Sequence, residues 1–181
     1  FIEKPCTLGF QKALELSKAF SKSKLVNQVG YVNRFNRAFI KQKQFLERGI
    51  IGNIINFKTE MYSRTITKSS SSNSWRDSKT NGGGATVDMA AHSIDLMNFI
   101  IGNPDRVSGS TMSKIFSKNV EDTVSTVFQF ESGVNGTMHV NWSEESYRKP
   151  SNRIEIFGNE GKIIANQHGI KVFRKNPHER S

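Results

Sequence analysis

A single cysteine, Cys6, in 181 residues excludes a disulfide framework. That scarcity fits a reducing, cytoplasmic setting. The apolar runs stop far short of the roughly 20 residues that a membrane span needs, so no membrane partner is expected. Acidic residues are the scarcer sign: 16 Asp and Glu stand against 26 Lys and Arg, a net charge of +10. Such a surplus invites a nucleic-acid reading. The basic residues are nevertheless scattered, from Lys12 and Lys18 through Arg34, Arg37, Lys41 and Arg48, mostly at helix-surface spacing or beside acids. Zinc-finger, RNP and basic-helix patterns are all missing. A solvated basic face, or attraction to an anionic small molecule, accounts for the charge better than a nucleic-acid partner. Also missing is any G-x-G-x-x-G phosphate loop.

What is present alternates first between helix and strand. Phe1–Pro5, "FIEKP", reads as the end of a buried strand, which predicts that the biological start lies upstream. Residues 9–20 place Phe10, Ala13, Leu14, Leu16 and Phe20 at amphipathic-helix spacing. Residues 25–35, rich in Val and aromatics, read as a strand, and 36–49 return to helical period with Asn36 as N-cap and Gly49 as stop. Residues 53–63 read as a long strand, and 64–84 as a Ser- and Gly-rich loop of the kind that carries function. Trp75, within that loop, needs something to pack against. A helix over 84–101 follows. Strands are then predicted at 106–117, 122–131, 134–143, 152–158, 162–166 and 170–173. Their short turns predict an antiparallel meander, with the helices 36–49 and 84–101 covering one face.

The stretch "GGGATVDMAAHSIDL", residues 82–96, carries the most chemistry. Asp88, His92 and Asp95 are spaced by four and three residues and so share one helical stripe. The glycines permit a tight turn and a close approach to a ligand. Asp88, in the first turn, is favoured as an anion by the helix dipole. One turn on, His92 can pair with it, and a neighbouring carboxylate raises an imidazole pKa and orients the ring for acid–base work. The alternative is a structural histidine at a helix–sheet interface with Asp88 as a cap. A metal site is not expected, because no further ligand completes the set. Lys4, at a strand end before Pro5, could supply positive charge to a developing alkoxide, or be a solvated lysine.

Taken in order, "FIEKP", "VGYVNRF", "LERGIIGNI", "SWRD…GGGATVDMAAHSIDL" and "FGNEGKI" resemble the Gfo/Idh/MocA family over residues 1–173. The resemblance implies an α/β protein, α+β in its main domain. A large mixed, mostly antiparallel sheet is covered by helices on one face and preceded by the last β-α unit of a Rossmann domain. Residues 1–26 would be the remnant of that dinucleotide-binding domain, and 27–181 the C-terminal substrate and oligomerisation domain. It implies an NAD(P)-dependent dehydrogenase acting on a sugar or sugar nucleotide. His92 would take the hydroxyl proton, Lys4 would hold the oxygen, and Asp88 would orient the imidazole. Glu3, Lys4, Pro5, Trp75 and Arg76 would lie on the cofactor side, with the Lys4–Pro5 bond cis. Asn33 and Arg34 would lie beside the substrate.

The family's phosphate loop lies upstream of "EKP", so this chain by itself is expected to bind NAD or NADP very weakly and to turn over nothing. Arg34, Arg37, Arg64, Arg148 and Lys149, if near one rim, favour an anionic or nucleotide-linked sugar. Tyr147 could stack on a ring while Arg148 grips a phosphate or carboxylate. A homodimer or tetramer through the exposed sheet face is the expected assembly. The other reading is a non-catalytic, sheet-forming dimerisation or binding module of the same fold.

Overall fold

The computed structural model describes residues 1–68 and 74–175. The middle of the Ser-rich loop and the last residues of the predicted C-terminal domain lie outside them. The chain opens with an amphipathic helix α1 (Phe10–Lys22) that buries none of its residues. Strand character predicted for 25–35 does not materialise. Val29 makes one parallel bridge to Ile2, and Leu25 and Val26 stand 72% and 101% exposed. A β-branched run becomes a strand only where a row of neighbours supplies ladder partners, and here the partner is a single residue. The chain instead coils into a 3₁₀ turn, Val32–Phe35.

Helix α2 (Arg37–Glu47) begins where Asn36 caps it, its side-chain oxygen accepting the Ala38 N–H at 2.9 Å. It ends before Gly49, whose φ of +67° suits a residue without a Cβ. Phe39 points into the core, and the buried Gln42 donates to the Ile154 carbonyl at 3.2 Å.

Among the described residues, seven strands make one sheet: β1 (Ile54–Tyr62), β2 (Arg106–Ser113), β3 (Thr123–Gln129), β4 (Asn135–Asn141), β5 (Ser151–Gly158), β6 (Gly161–Asn166) and β7 (Gly169–Arg174). Their order is β2-β3-β4-β1-β5-β6-β7. The predicted meander is therefore split: β2-β3-β4 and β5-β6-β7 are antiparallel runs, and β1 lies between them, parallel to β4 and antiparallel to β5. Short turns foretold the two runs. The inserted strand, joined through the long loop and a helix, left no local signal. The mixed, mostly antiparallel sheet expected from the resemblance is what forms.

Register separates the two faces. Phe57, Thr59 and Met61 lie beside Gly136, Met138 and Val140 and beside Ile156, Ile154 and Asn152, giving one apolar face. Helix α3 (Ala91–Ile100), with Leu96 and Met97 fully buried, packs against it together with α2. At about 1.5–3 kcal/mol per fully buried large apolar side chain, this layer is what holds the domain together. The other face carries Lys58, Glu60, Tyr62, His139, Arg153, Glu155 and Lys162, and among the described residues no helix packs over it. At its centre Glu155 is 4% exposed and accepts from Arg153 at 2.9 Å and Lys162 at 3.0 Å, with Lys58 at 3.6 Å. Burial alone would raise its pKa, but the Lys162 hydrogen bond and the three cations outweigh that and lower it. Glu155→Gln removes the counter-charge of Lys162 and leaves Lys58 and Arg153 only the longer pairs with Glu60, at 3.8 and 3.9 Å. The cations are partly solvated, so the expected loss in a urea melt is modest, about 1–2 kcal/mol.

Candidate active site

Helix α3 is entered through a π-helical turn, Thr86–Ala90, rather than the plain α-helix start that the sequence predicts. Single π turns widen the backbone and occur often at functional sites. This one carries Asp88. Lys4, 84 positions earlier, donates to the Asp88 carbonyl at 2.8 Å and to its Oδ1 at 2.6 Å. The two side chains are only 17% and 16% exposed. Asp88 Oδ2 faces Arg76 Nε at 3.5 Å, and the Arg76 guanidinium lies over the Trp75 ring, 4.5 Å from its centroid. Trp75 thus packs against Arg76, and its indole remains 44% exposed.

His92 follows Asp88 by one turn but is not its hydrogen-bond partner. Asp88 is taken up by Lys4 and Arg76, and His92 Nδ1 is buried with no hydrogen-bond partner among the described residues. The ring meets Tyr31 edge-on, centroids 6.0 Å apart. Its pKa is lowered, contrary to the raised value that the carboxylate spacing predicts. Burial disfavours the imidazolium most, the Lys4 charge adds to this, and Asp88 and Asp95 oppose both without prevailing. The imidazole is therefore neutral near pH 7, the state a proton acceptor needs.

The stripe divides at Asp95. Its buried carboxylate accepts from Arg34 Nε at 3.0 and 2.9 Å and from Nη2 at 2.6 Å, a pairing that ties the 3₁₀ turn to α3. Arg34 thereby spends two of its nitrogens inside the protein. Asn33 sits in the same turn, half-buried, rather than at a strand end. Burial and the Asp95 charge raise the pKa of Tyr31 beside it.

The three glycines serve the chain's own packing. A Cβ on Gly83 would lie 2.1 Å from the Arg76 carbonyl oxygen and 2.8 Å from that of Trp75, while Gly82 and Gly84 adopt φ of +81° and +101°. The close approach that Gly83 permits is to the Trp75–Arg76 backbone. Gly83→Ala must displace that turn. The expected cost is about 2–4 kcal/mol in thermal or chemical melts, because the obstruction is backbone and cannot rotate aside.

Of the remaining predicted residues, the Lys4–Pro5 bond is cis as expected, and Glu3 is exposed against Gly30. Tyr147 stacks on Tyr62, ring centroids 4.9 Å apart, and Tyr62 also meets His139 at 5.6 Å. Tyr62 alternates with the inward-facing Met61, so this stack belongs to the uncovered sheet face. Arg148 is exposed on the same loop. The structure therefore brings together Lys4, Asp88, His92, Trp75 and Arg76, and places Tyr147 with the opposite face. Tyr31 joins the group without having been singled out. Its signal was its place two residues before Asn33 in "VGYVNRF".

Architecture and site together define an α/β domain built on one broad mixed sheet, with its polar group gathered where the covering helix begins. The chain belongs to the GFO/IDH/MocA family: the GFO/IDH/MocA C-terminal domain matches residues 39–164. It is 28% identical over 170 residues to the myo-inositol 2-dehydrogenase of Thermotoga maritima, covering 91% of this chain and 48% of that protein. Against scyllo-inositol 2-dehydrogenase (NAD(+)) of Bacillus subtilis the identity is 27% over 169 residues, covering 91% and 47%. The solved structure of levoglucosan dehydrogenase in complex with NADH and levoglucosan superposes with a TM-score of 0.88 at 25% identity, over 98% of this chain and 51% of that one. The chain spans about half the length of the curated relatives it matches.

Proposed function

We propose that this chain is the substrate domain of an NAD(P)-dependent dehydrogenase that oxidises a secondary hydroxyl of a polyhydroxylated ring. The observation that carries the reading is the meeting of Lys4 and Asp88 at 2.6 Å, beside an imidazole kept neutral by burial and by Lys4. Neutral His92 accepts the hydroxyl proton. The Lys4 ammonium holds the same oxygen as negative charge develops on it. Asp88 fixes Lys4 through both its carbonyl and its carboxylate. It acts on His92 through charge, not through a hydrogen bond.

The partly exposed Trp75 indole and the Lys4 ammonium lie on one side of this group, and with Glu3, Pro5 and Arg76 they support a nicotinamide cofactor held there. Held there, NAD(P) would supply the hydride acceptor, while His92 and Lys4 deal with the hydroxyl proton and oxygen. Helix α1 buries none of its residues and leaves Phe10 75% exposed, which supports assigning residues 1–26 to a dinucleotide-binding domain.

The grounds for an anionic sugar weaken, since Arg34 is committed to Asp95 and Tyr147 packs on the other face. A neutral ring of the inositol or levoglucosan kind suits the group better. The uncovered sheet face, with Phe157, Phe173 and the Glu155 cluster, supports a homodimer or tetramer formed through it. The activity is tested by incubating the intact protein with NAD or NADP and a panel of inositols, anhydrosugars, aldoses and sugar nucleotides, and following absorbance of the reduced cofactor. Turnover of a neutral ring is expected. Turnover of none would favour a non-catalytic binding module.

A further inference from the structure

The segment between β2 and β3, residues 114–122, is unusually well fastened. The Asp122 carboxylate, fully buried, accepts the Ile115, Phe116 and Ser117 N–H groups on Oδ2 at 2.5, 2.7 and 2.9 Å. Its Oδ1 accepts Ser117 Oγ and Trp142 Nε1, each at 2.5 Å. From this base the loop reaches two places. The Lys118 and Asn119 N–H groups donate to Asp77 Oδ1 at 3.1 and 2.9 Å, and Asn119 Nδ2 donates to Oδ2 at 3.3 Å. Two residues on, the Glu121 carbonyl accepts the Ala85 N–H at 2.9 Å and its carboxylate the Thr86 N–H at 2.8 Å.

One loop therefore holds both the neighbour of Arg76 and the turn that carries Asp88. An arginine as accessible as Arg76 would gain little from a 3.5 Å ion pair alone and would swing between rotamers. Anchoring the backbone on both sides removes much of that freedom.

We propose that Asp77 is a positioning residue: by fastening the Trp75–Arg76 turn to the β2–β3 loop, it holds the Arg76 guanidinium on the outer oxygen of Asp88 and sets the charge felt by His92. The consequence for catalysis rests on the dehydrogenase reading; the clamp does not. Among the described residues, the charges acting on His92 are Lys4 from the N-terminal segment and Asp88 and Asp95; the Tyr31 ring meets it edge-on, Arg34 is held on Asp95, and Arg76 lies on Asp88. While Arg76 is held, two cations share Asp88. Released, it takes a positive charge away and leaves the carboxylate less compensated, so the imidazolium is favoured. Loss of the negative charge of Asp77 acts in the opposite direction. An upward shift therefore reports Arg76 and not the deleted carboxylate.

The test is the His92 titration followed by NMR of isotope-labelled histidine in the intact protein, beside a thermal melt. Asp77→Ala is expected to raise the His92 midpoint by about half a pH unit. Asp77→Asn keeps an oxygen for both N–H donors and is expected to stay at or slightly below the wild-type midpoint. A folded Asp77→Ala protein with an unmoved midpoint overturns the clamp, and so does an asparagine variant that rises as far as the alanine one. Should alanine prevent folding, Asp77→Ser, too short to reach both N–H groups, carries the same expectation. Absence of turnover with the titration shifted as expected would sink the dehydrogenase reading and leave the clamp standing.

Discussion

His92→Ala in the intact protein is expected to lower kcat about 10²–10⁴-fold, the range that a positioned acid–base group supplies. Cofactor affinity should stay nearly unchanged, because the proposed role of the ring is toward the hydroxyl and not the nicotinamide. The pH profile supplies the second half of this prediction. His92 has its pKa lowered from the usual 6.5, so the wild-type rate falls only as pH drops below that value. The sign follows from which form is active: the neutral ring accepts the proton, and protonation at low pH removes it. In the alanine variant this limb disappears. A binding module that inherited the residue would show neither effect, and a variant retaining more than a tenth of the wild-type kcat would contradict the assignment.

The largest expected effect on stability comes from Asp122→Ala, about 3–5 kcal/mol in urea or thermal unfolding. Three backbone N–H groups, the Ser117 hydroxyl and the fully buried Trp142 indole all lose their acceptor. Burial by itself would raise the pKa of this carboxyl. The hydrogen bonds from Ser117, Trp142 and Ile115 prevail and hold it below its ordinary 3.8. Because the folded value is depressed, the contribution is fully present above the unfolded pKa and is lost as pH falls through the folded one. Wild-type stability should therefore decline in acid more steeply than that of the alanine variant. Equal slopes, or a loss under 1 kcal/mol, would mean that the loop is held by something else.

How far the sequence revealed this arrangement depended on the range of the interaction concerned. Local signals read correctly. Asn36 and Gly49 bound α2 as capping chemistry requires, and the alternation in "STVFQF" and "TMHVNW" distinguished the covered from the open face. Non-local facts did not. Nothing near residues 53–63 announces that β1 inserts between β4 and β5, and the strand predicted at 25–35 fails for want of a neighbour.

At the site, the resemblance singled out Lys4, Asp88 and His92, yet spacing alone misjudged their couplings. A carboxylate one turn away predicts an Asp–His pair, but Lys4 and Arg76 arrive from distant segments and claim that carboxylate first. Burial, invisible to spacing, then reverses the direction of the histidine pKa. Asp77 and Asp122 were legible only as polar residues in a loop and at a strand start. Their importance lies in backbone N–H groups that arrive from elsewhere.

The most direct measurement is a structure of the intact protein with a nicotinamide cofactor and a neutral polyhydroxylated ring bound together. The account predicts one ring hydroxyl within about 2.6–3.2 Å of both the His92 imidazole and Lys4 Nζ, with its carbon facing the nicotinamide. A ring seated instead against Tyr147 and Tyr62 on the uncovered sheet face, far from both groups, would contradict it.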